Sequence, residues 1–148
     1  LFPKENYKIG LATSSYEILI KCVLNTLEIK HYFDVTHSAE HENYGKPHPE
    51  VYINTAKMLG VSPLECIVIE DSLNGIISGK AAKMHVVCIP EKTHEINPKY
   101  QIADEILEDL NQFLAQFKNQ FMLIEIKDKV ISSDIFSDGP GVGGELTT

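Results

Sequence analysis

Three short stretches of the sequence carry side chains that could together bind a phosphate group and a divalent cation. Hydroxyls end one apolar run, a lysine lies in a polar loop, and two acids directly follow another apolar run; the residues are Thr13, Ser14, Ser15, Lys46, Glu70 and Asp71. Hydroxyls and backbone N–H groups at the start of a helix bind phosphate oxygens, and lysine adds a positive charge. Adjacent carboxylates suit Mg²⁺, which takes oxygen ligands and is often shared with a substrate phosphate. The combination predicts a phosphoryl-transfer site.

Each stretch also has an ordinary structural explanation when it is taken alone. Thr13 and Ser15 are typical of a strand end followed by a helix cap, and Lys46 is typical of a solvated loop. The acid pair is the strongest single indication, because carboxylates at the end of a buried strand lose hydration unless something pairs with them. The ordered combination is more specific than any of its parts.

Short apolar runs alternate with helical periodicity, and this order predicts α/β units around a doubly wound parallel sheet. The predicted strands cover 7–12, 33–36, 66–69, 85–89 and a short piece at 101–103, and the predicted helices cover 16–29, 50–59, 73–83 and 105–117. Ser15 is predicted to cap the first helix and Gly60 to end the second. The run CIVI at 66–69 is typical of a strand buried on both faces. Ligands bind beyond the carboxyl ends of such strands, where the hydroxyls and acids are expected.

The chain is predicted to contain one core domain over residues 1–117 and a tail over 118–148. The first part of the tail, FMLIEIKDKVIS, predicts a small hairpin around Lys127 to Lys129. The Gly-rich end, SDGPGVGGELTT, is typical of a flexible segment. No function is assigned to the tail.

Composition excludes several classes of partner. The formal net charge of −8 argues against nonspecific binding to nucleic acid or to an anionic membrane surface. No apolar run approaches the length of a membrane span. The three cysteines, Cys22, Cys66 and Cys88, are far apart and lie in apolar stretches, which predicts reduced, mostly buried thiols and a cytoplasmic location.

One competing metal motif is present in the stretch HSAEH. His37, Glu40 and His41 formally match H-x-x-E-H, the inverted zinc-peptidase pattern. That pattern requires a helix to bring both histidines onto one face, whereas this stretch follows a predicted strand. We therefore expect a chance match.

The three polar stretches, read with their flanking residues, resemble a known family. The strand ending in ATSS, the block GKPHPEVY and the block CIVIEDSLNGI resemble motifs two, three and four of the haloacid dehalogenase (HAD) superfamily. The wording is closest to the β-phosphoglucomutase-like branch, which includes 2-deoxyglucose-6-phosphate and hexitol phosphatases. The resemblance covers about residues 7–113. It implies a partial HAD-like, Rossmann-like core and a Mg²⁺-dependent hydrolase that acts on sugar phosphates.

The resemblance also implies roles for the residues on the anion side of the site. Thr13 would hydrogen-bond the transferring phosphoryl group, and Ser14 would donate its backbone N–H. Ser15 would lie near the phosphate or the sugar. Lys46 would neutralise charge on the nucleophile and the phosphoryl oxygens.

On the cation side, the resemblance implies that Asp71 binds Mg²⁺. Glu70 would be a second ligand or would orient Asp71. Asn74 and Gly75 would lie close to the site, where the following helix begins.

One departure from the family concerns the nucleophile. The family places it in a D-x-D-G motif upstream of a cap domain, and nothing in this sequence matches that motif or the cap. The nearest late stretch, SSDIFSDGPG, has Phe136 where the nucleophile should be, which argues against a circular permutation. We expect the chain as given to be inactive and to expose an unpaired sheet edge that favours self-association. The alternative is a catalytically dead remnant that binds phosphate or a protein partner.

Overall fold

The computed structural model describes residues 7–92 and 97–122, which form an α/β unit. Its strands and helices alternate in the order β1 (Gly10–Thr13), α1 (Glu17–Thr26), β2 (Val35–Ser38), α2 (Glu50–Leu59), β3 (Ile67–Glu70), α3 (Leu73–Ala81), β4 (His85–Cys88), β5 (Glu105–Ile106) and α4 (Leu110–Met122). This order confirms the predicted alternation. The hairpin predicted around Lys127 to Lys129 lies outside the described residues.

Within residues 7–92 and 97–122 all strand pairs are parallel, and the sheet is divided into two parts. β1 pairs with β2, with Thr13 opposite Ser38. β3, β4 and β5 form the second part in that order, with Glu70 opposite Cys88. The parallel α/β class is confirmed, but β1 and β3 are not paired with each other.

Helices cover both faces of β4, as expected for a doubly wound fold. On one face, α2 and α3 form a buried cluster with the strands; it includes Val51, Ala56, Val68, Ile76, Val86 and Cys88. On the other face, Val87 packs with Phe113 and Phe117 of α4. Val86 and Val87 point to opposite faces and are both fully buried.

Helix α2 connects the two parts of the sheet. Ala12 of β1 and Val68 of β3 both pack against the cluster that contains Val51 and Ala56 of α2. The helix ends at Gly60, which has the left-handed φ of 68° that glycine tolerates best. The prediction that Gly60 ends this helix is confirmed.

The cap predicted for the first helix is wrong. Tyr16, not Ser15, is the N-cap of α1, and its side chain makes no capping hydrogen bond. The backbone N–H of Ser15 instead donates to the Thr13 hydroxyl at 3.1 Å. Ser15 therefore belongs to the turn that precedes the helix and does not cap it.

Three further predictions need correction. The run at 66–69 is buried on one face only: Ile67 and Ile69 are 41% and 42% exposed, because the helix that covers Val87 on that face leaves them uncovered. The strand predicted at 101–103 is instead a 3₁₀ turn, Pro98–Ile102, which starts at a proline that cannot donate to a ladder. The last helix begins at 110, after β5.

The cysteines are free, as predicted, but they are not all buried. Cys88 is buried, Cys66 is partly exposed and Cys22 is exposed. Cys22 lies on the solvent side of α1, where Ile20 and Leu24 supply the buried positions. None of the helices within the described ranges is long and apolar enough to cross a membrane.

Candidate active site

Lys46 occupies the centre of the candidate site. It lies in the loop between β2 and α2, and its peptide bond to Pro47 is cis. Its amine donates to the carbonyl oxygen of Ala12 at 3.4 Å and to Oε1 of Glu70 at 2.5 Å. The side chains of Lys46 and Glu70 are only 10% and 8% exposed, so this ion pair is nearly buried. One amine therefore links the ends of β1 and β3.

The Glu70 carboxylate accepts hydrogen bonds at both oxygens. Oε1 accepts from Lys46 and from the Tyr52 hydroxyl. Oε2 accepts from the backbone N–H and the hydroxyl of Ser72, at 3.3 and 3.0 Å. Burial by itself would raise the pKa of Glu70, but the Lys46 and Tyr52 hydrogen bonds and the Lys46 charge outweigh it, and the pKa is lowered. Glu70 is therefore held as a carboxylate.

Tyr52 is a site residue that the motifs in the sequence did not indicate. Its hydroxyl accepts from the Lys46 amine at 2.9 Å and donates to Glu70. The Lys46 amine also lies 4.6 Å from the centre of the Tyr52 ring, within cation–π range. Burial raises the pKa of Tyr52, and the Glu70 charge adds to the rise, so the phenol stays protonated. The sequence feature that could have indicated a role for Tyr52 is its position in the same block as Lys46, at the first turn of α2.

Gly75 allows the Glu70 carboxylate to approach the start of α3. A Cβ atom built on Gly75 would lie 1.9 Å from the carboxyl carbon of Glu70. The N–H of Gly75 donates to the hydroxyl of Ser72, which caps the helix. A side chain at this position would displace the carboxylate from its partners.

The hydroxyl stretch forms a tight turn directly after β1. Thr13 is partly buried, Ser14 is exposed, and the Ser15 carbonyl accepts a hydrogen bond of 2.7 Å from the Ser38 hydroxyl. The turn is therefore held from within by Thr13 and from the neighbouring strand by Ser38. Lys46 contacts the carbonyl of the residue just before Thr13.

Asp71 and Asn74 lie at the outer side of the same region. Both are exposed, and within the described ranges no hydrogen bond or ion pair is found for the Asp71 carboxylate. Glu70 lies opposite Cys88 at the end of β4. Burial raises the pKa of the Cys88 thiol, and the charges of Asp71 and Glu70 add to the rise. In the described part of the chain no group of three or more His, Cys, Asp or Glu side chains could hold a metal ion.

The residues of the H-x-x-E-H match do not share a helix. His37 is in β2 and pairs with Glu42, whereas His41 is in a 3₁₀ turn and pairs with Glu17. The carboxylate of Glu40 accepts from the N–H of Glu17. Each of the three residues has a structural partner of its own.

Comparison with known proteins identifies the family. A model of haloacid dehalogenase-like hydrolases matches residues 2–83, more than half of the sequence, and the chain belongs to this family. It is 37% identical over 116 residues to hexitol phosphatase B of Escherichia coli K12, a match that covers 78% of this chain and 52% of the relative.

Two other relatives support the assignment to the β-phosphoglucomutase-like branch. A fructose-1-phosphate phosphatase of Escherichia coli K12 is 34% identical over 79 residues, which cover 53% of this chain and 42% of the relative. The crystal structure of β-phosphoglucomutase from Clostridium difficile superposes with a TM-score of 0.65 at 31% identity, over 81% of this chain and 52% of that one. The chain thus spans about half the length of the relatives it matches.

Proposed function

We propose that this chain carries part of the active site of a Mg²⁺-dependent phosphatase that acts on sugar phosphates. The observation that carries the proposal is the position of Lys46, whose amine contacts the end of β1 and the carboxylate at the end of β3 at the same time. A buried ammonium between a hydroxyl turn and an acid pair is suited to stabilising a multiply charged phosphoryl group. The relatives named hexitol and fructose-1-phosphate phosphatase support a sugar phosphate as the substrate class.

On the anion side, the exposed turn after β1 receives the phosphoryl group. The Thr13 hydroxyl and the backbone N–H of Ser14 donate to its oxygens, and Ser15 lies near the phosphate or the sugar. The Ala12 carbonyl, the Tyr52 hydroxyl and Glu70 engage the three N–H donors of the Lys46 ammonium and fix its position. Lys46 then contributes a positive charge that water cannot easily screen.

On the cation side, Asp71 and Glu70 supply carboxylate oxygens to Mg²⁺. Asp71 is the direct ligand because its carboxylate is exposed, and Glu70 supports it, because Lys46, Tyr52 and Ser72 already engage both Glu70 oxygens. Two adjacent acids provide fewer oxygens than Mg²⁺ requires, so further ligands come from water, phosphate or another segment. When bound, the ion neutralises charge on the phosphoryl oxygens.

The chemical step requires a nucleophile. The D-x-D-G motif that carries the nucleophile in the family has no match in this sequence. In the complete enzyme an aspartate takes the phosphoryl group from the sugar and water then releases it. We propose that the chain as given binds phosphate but does not turn over substrate. Turnover of p-nitrophenyl phosphate with Mg²⁺ should be negligible; clear turnover that Asp71→Asn abolishes would show that the chain holds a nucleophile of its own.

Binding of inorganic phosphate tests the anion side directly. With Mg²⁺ present, phosphate should shift the ¹H–¹⁵N signals of Ser14, Ser15 and the residues next to Asp71. Lys46→Ala should abolish these shifts, and Lys21→Ala, a matched change at an exposed lysine of α1, should preserve them. Shifts that persist in Lys46→Ala, or that appear only away from the turn, would refute the proposed site.

The second candidate function is a catalytically inactive module that binds a protein partner or a second copy of itself. The apolar surface of α1 favours it, because Ile18, Leu19 and Val23 are 80%, 52% and 45% exposed. Sedimentation at increasing concentration tests self-association, and Ile18→Glu should abolish it. Reading the coding sequence upstream of Leu1 separates the two candidates, since an in-frame D-x-D-G motif supports the enzyme and a stop codon supports the module.

A further inference from the structure

We infer that Ser78, a buried serine of α3, is a positioning residue for the Lys46 amine. It acts through a hydrogen bond to the backbone two residues after Lys46, not by binding phosphate itself. The consequence for phosphate binding rests on the proposed function, whereas the placement of Lys46 can be measured in the free chain.

The Ser78 hydroxyl makes an unusual hydrogen bond for a serine in the middle of a helix. Such hydroxyls ordinarily donate to the carbonyl four residues earlier in the same helix. Thr55 of α2 does so, since its hydroxyl donates to the Val51 carbonyl at 2.7 Å. Ser78 instead donates at 2.7 Å to the carbonyl of His48, which lies 30 residues away in the loop between β2 and α2. Ser78 and Thr55 are 0% and 5% exposed, so water does not compete for either hydrogen bond.

The loop that carries Lys46 has few backbone hydrogen bonds of its own. Its residues 45–49 include two prolines, which have no N–H to donate. Inside this segment, the N–H of His48 donates to the Gly45 carbonyl at 3.0 Å. Among residues 7–92 and 97–122, the bond from Ser78 is the one hydrogen bond that joins the backbone of the segment to an element other than α2. The path of the loop on the far side of Lys46 therefore depends on this serine.

Helix α3 is a firm support for the loop because it packs very closely against β3 and β4. A Cβ atom built on Gly79 would lie 2.7 Å from Cγ2 of Val86 and 3.6 Å from Cβ of Val68, so the glycine is what permits this approach. Val86 is itself fully buried. The hydrogen bond from Ser78, the residue next to this glycine, consequently starts from a fixed point of the fold.

Helix α3 thereby holds both members of the Lys46–Glu70 ion pair. At its start, the hydroxyl of Ser72 donates to the Glu70 carboxylate at 3.0 Å. In its middle, Ser78 holds the loop that carries Lys46. Because the two charged side chains are only 10% and 8% exposed, little water screens them, and their interaction depends strongly on their separation. Removal of the Ser78 hydroxyl should therefore loosen the lysine relative to its carboxylate.

The position of Lys46 in the free chain tests the inference without any ligand. Its amine lies 4.6 Å from the centre of the Tyr52 ring, so the ring current should displace the Hε signals of Lys46 from those of the exposed Lys21. Ser78→Ala removes only the hydroxyl and should move these signals toward the Lys21 position. Thr55→Val, which removes a buried hydroxyl bonded inside α2, is the matched control and should leave them unchanged.

Titration with inorganic phosphate in the presence of Mg²⁺ tests the consequence for binding. Ser78→Ala should raise the dissociation constant by about tenfold, the effect expected when a buried hydrogen bond that holds a charged group is lost. Thr55→Val should leave the dissociation constant unchanged, although both variants should lower the urea midpoint. A purely structural role for Ser78 would lower the midpoint in both variants and change the dissociation constant in neither.

The two measurements separate failure of the inference from failure of the proposed function. If the wild-type chain does not bind phosphate, the proposed function is wrong, and the Lys46 signals still decide the inference. Unchanged Lys46 signals in Ser78→Ala overturn the inference whether or not phosphate binds. Equal effects of Ser78→Ala and Thr55→Val also overturn it, because they would show a general loss of stability.

A measurement on the wild-type chain covers the case in which Ser78→Ala does not fold. The hydroxyl proton of Ser78 should exchange with water slowly enough to give an NMR signal, because it is buried and hydrogen-bonded. The hydroxyl proton of Ser14, which is exposed, is the control and should exchange too fast to be seen. Equally fast exchange at both serines would refute the hydrogen bond and with it the role of Ser78.

Discussion

Helices α1 and α2 have the same length, yet they are used in opposite ways. α2 buries Val51, Tyr52, Thr55 and Ala56 between the two parts of the sheet. α1 buries only Ile20 and Leu24 and leaves Ile18 80% exposed. Their ion pairs differ likewise: Lys46–Glu70 beside α2 is nearly buried, whereas Lys21–Glu17 on α1 is 65% and 46% exposed. Burial therefore determines how much residues of the same type contribute to the stability of this molecule.

The largest difference in the free energy of unfolding is expected between substitutions of a buried and an exposed isoleucine. Ile76 of α3 is fully buried in the cluster that α2 completes, and Ile18 of α1 is mostly exposed. Ile76→Ala should lower the free energy of unfolding by about 4 kcal/mol, because it removes buried methyl groups and leaves a cavity. Ile18→Ala should change it by less than about 0.5 kcal/mol. Urea denaturation of both variants measures this, and equal losses would contradict the assignment of the core.

A similar contrast is expected for lysine. Lys46→Met should lower the free energy of unfolding by about 3 kcal/mol, because it leaves the Glu70 carboxylate buried without its charge partner. The double variant Lys46→Met/Glu70→Leu should recover much of the loss, since both charges are then removed together. Lys21→Met, the matched change on α1, should leave the urea midpoint unchanged within error. If the double variant is no more stable than Lys46→Met, the loss comes from packing and not from the unpaired charge.

For glycine, the sign of the effect is informative. Ala normally stabilises a helix relative to Gly, by about 1 kcal/mol. Gly75→Ala should instead destabilise the protein by about 2 kcal/mol, because its Cβ would overlap the Glu70 carboxylate. Gly45→Ala is the control, since nothing lies within 4 Å of a Cβ at that position. Stabilisation by Gly75→Ala would mean that the carboxylate moves away without loss.

The smallest effect is expected for the loss of stability as the pH falls into the acid range. The pKa of Glu70 is lowered from its usual value of 4.5, so its pairing stabilises the fold fully above pH 4.5 and is lost as the pH falls through the lower folded value. Thermal melts between neutral and acid pH should show this decline, and Glu70→Gln should flatten it. Glu17→Gln should not flatten it, because Glu17 is exposed and screened by solvent, and the same curve at high salt checks that distinction.

Much of the fold was predictable from the sequence because apolar periodicity encodes it locally. α2 matches its predicted range of 50–59, with Gly60 at its end, because a glycine signal coincides with the end of the pattern. The cap of α1 was not predictable in the same way, since Ser15 donates its N–H to Thr13 and leaves Tyr16 at the cap position. The exposure of Ile67 and Ile69 depends on which element packs against that face of β3. A local sequence pattern does not contain that information.

For the candidate site, the sequence indicated the residue types, and the three-dimensional contacts added the links between them. Lys46 and Glu70 were predicted at one edge of the sheet, and their contact follows from the meeting of the strand ends. The Tyr52 hydroxyl could not be assigned in advance, because tyrosine in an apolar helix face is ordinarily a packing residue. The functional roles of Thr13, Asp71 and Asn74 remain predictions for the phosphate-binding experiment.

Helix α2 also determines how this divided sheet should melt. Because Ala12 and Val68, from different parts of the sheet, pack against the same helix, neither part can detach without stripping α2 of its neighbours. The described unit should consequently lose its structure in a single cooperative transition, with equal calorimetric and van't Hoff enthalpies. Two resolved heat-absorption peaks would mean that each half of the sheet melts independently.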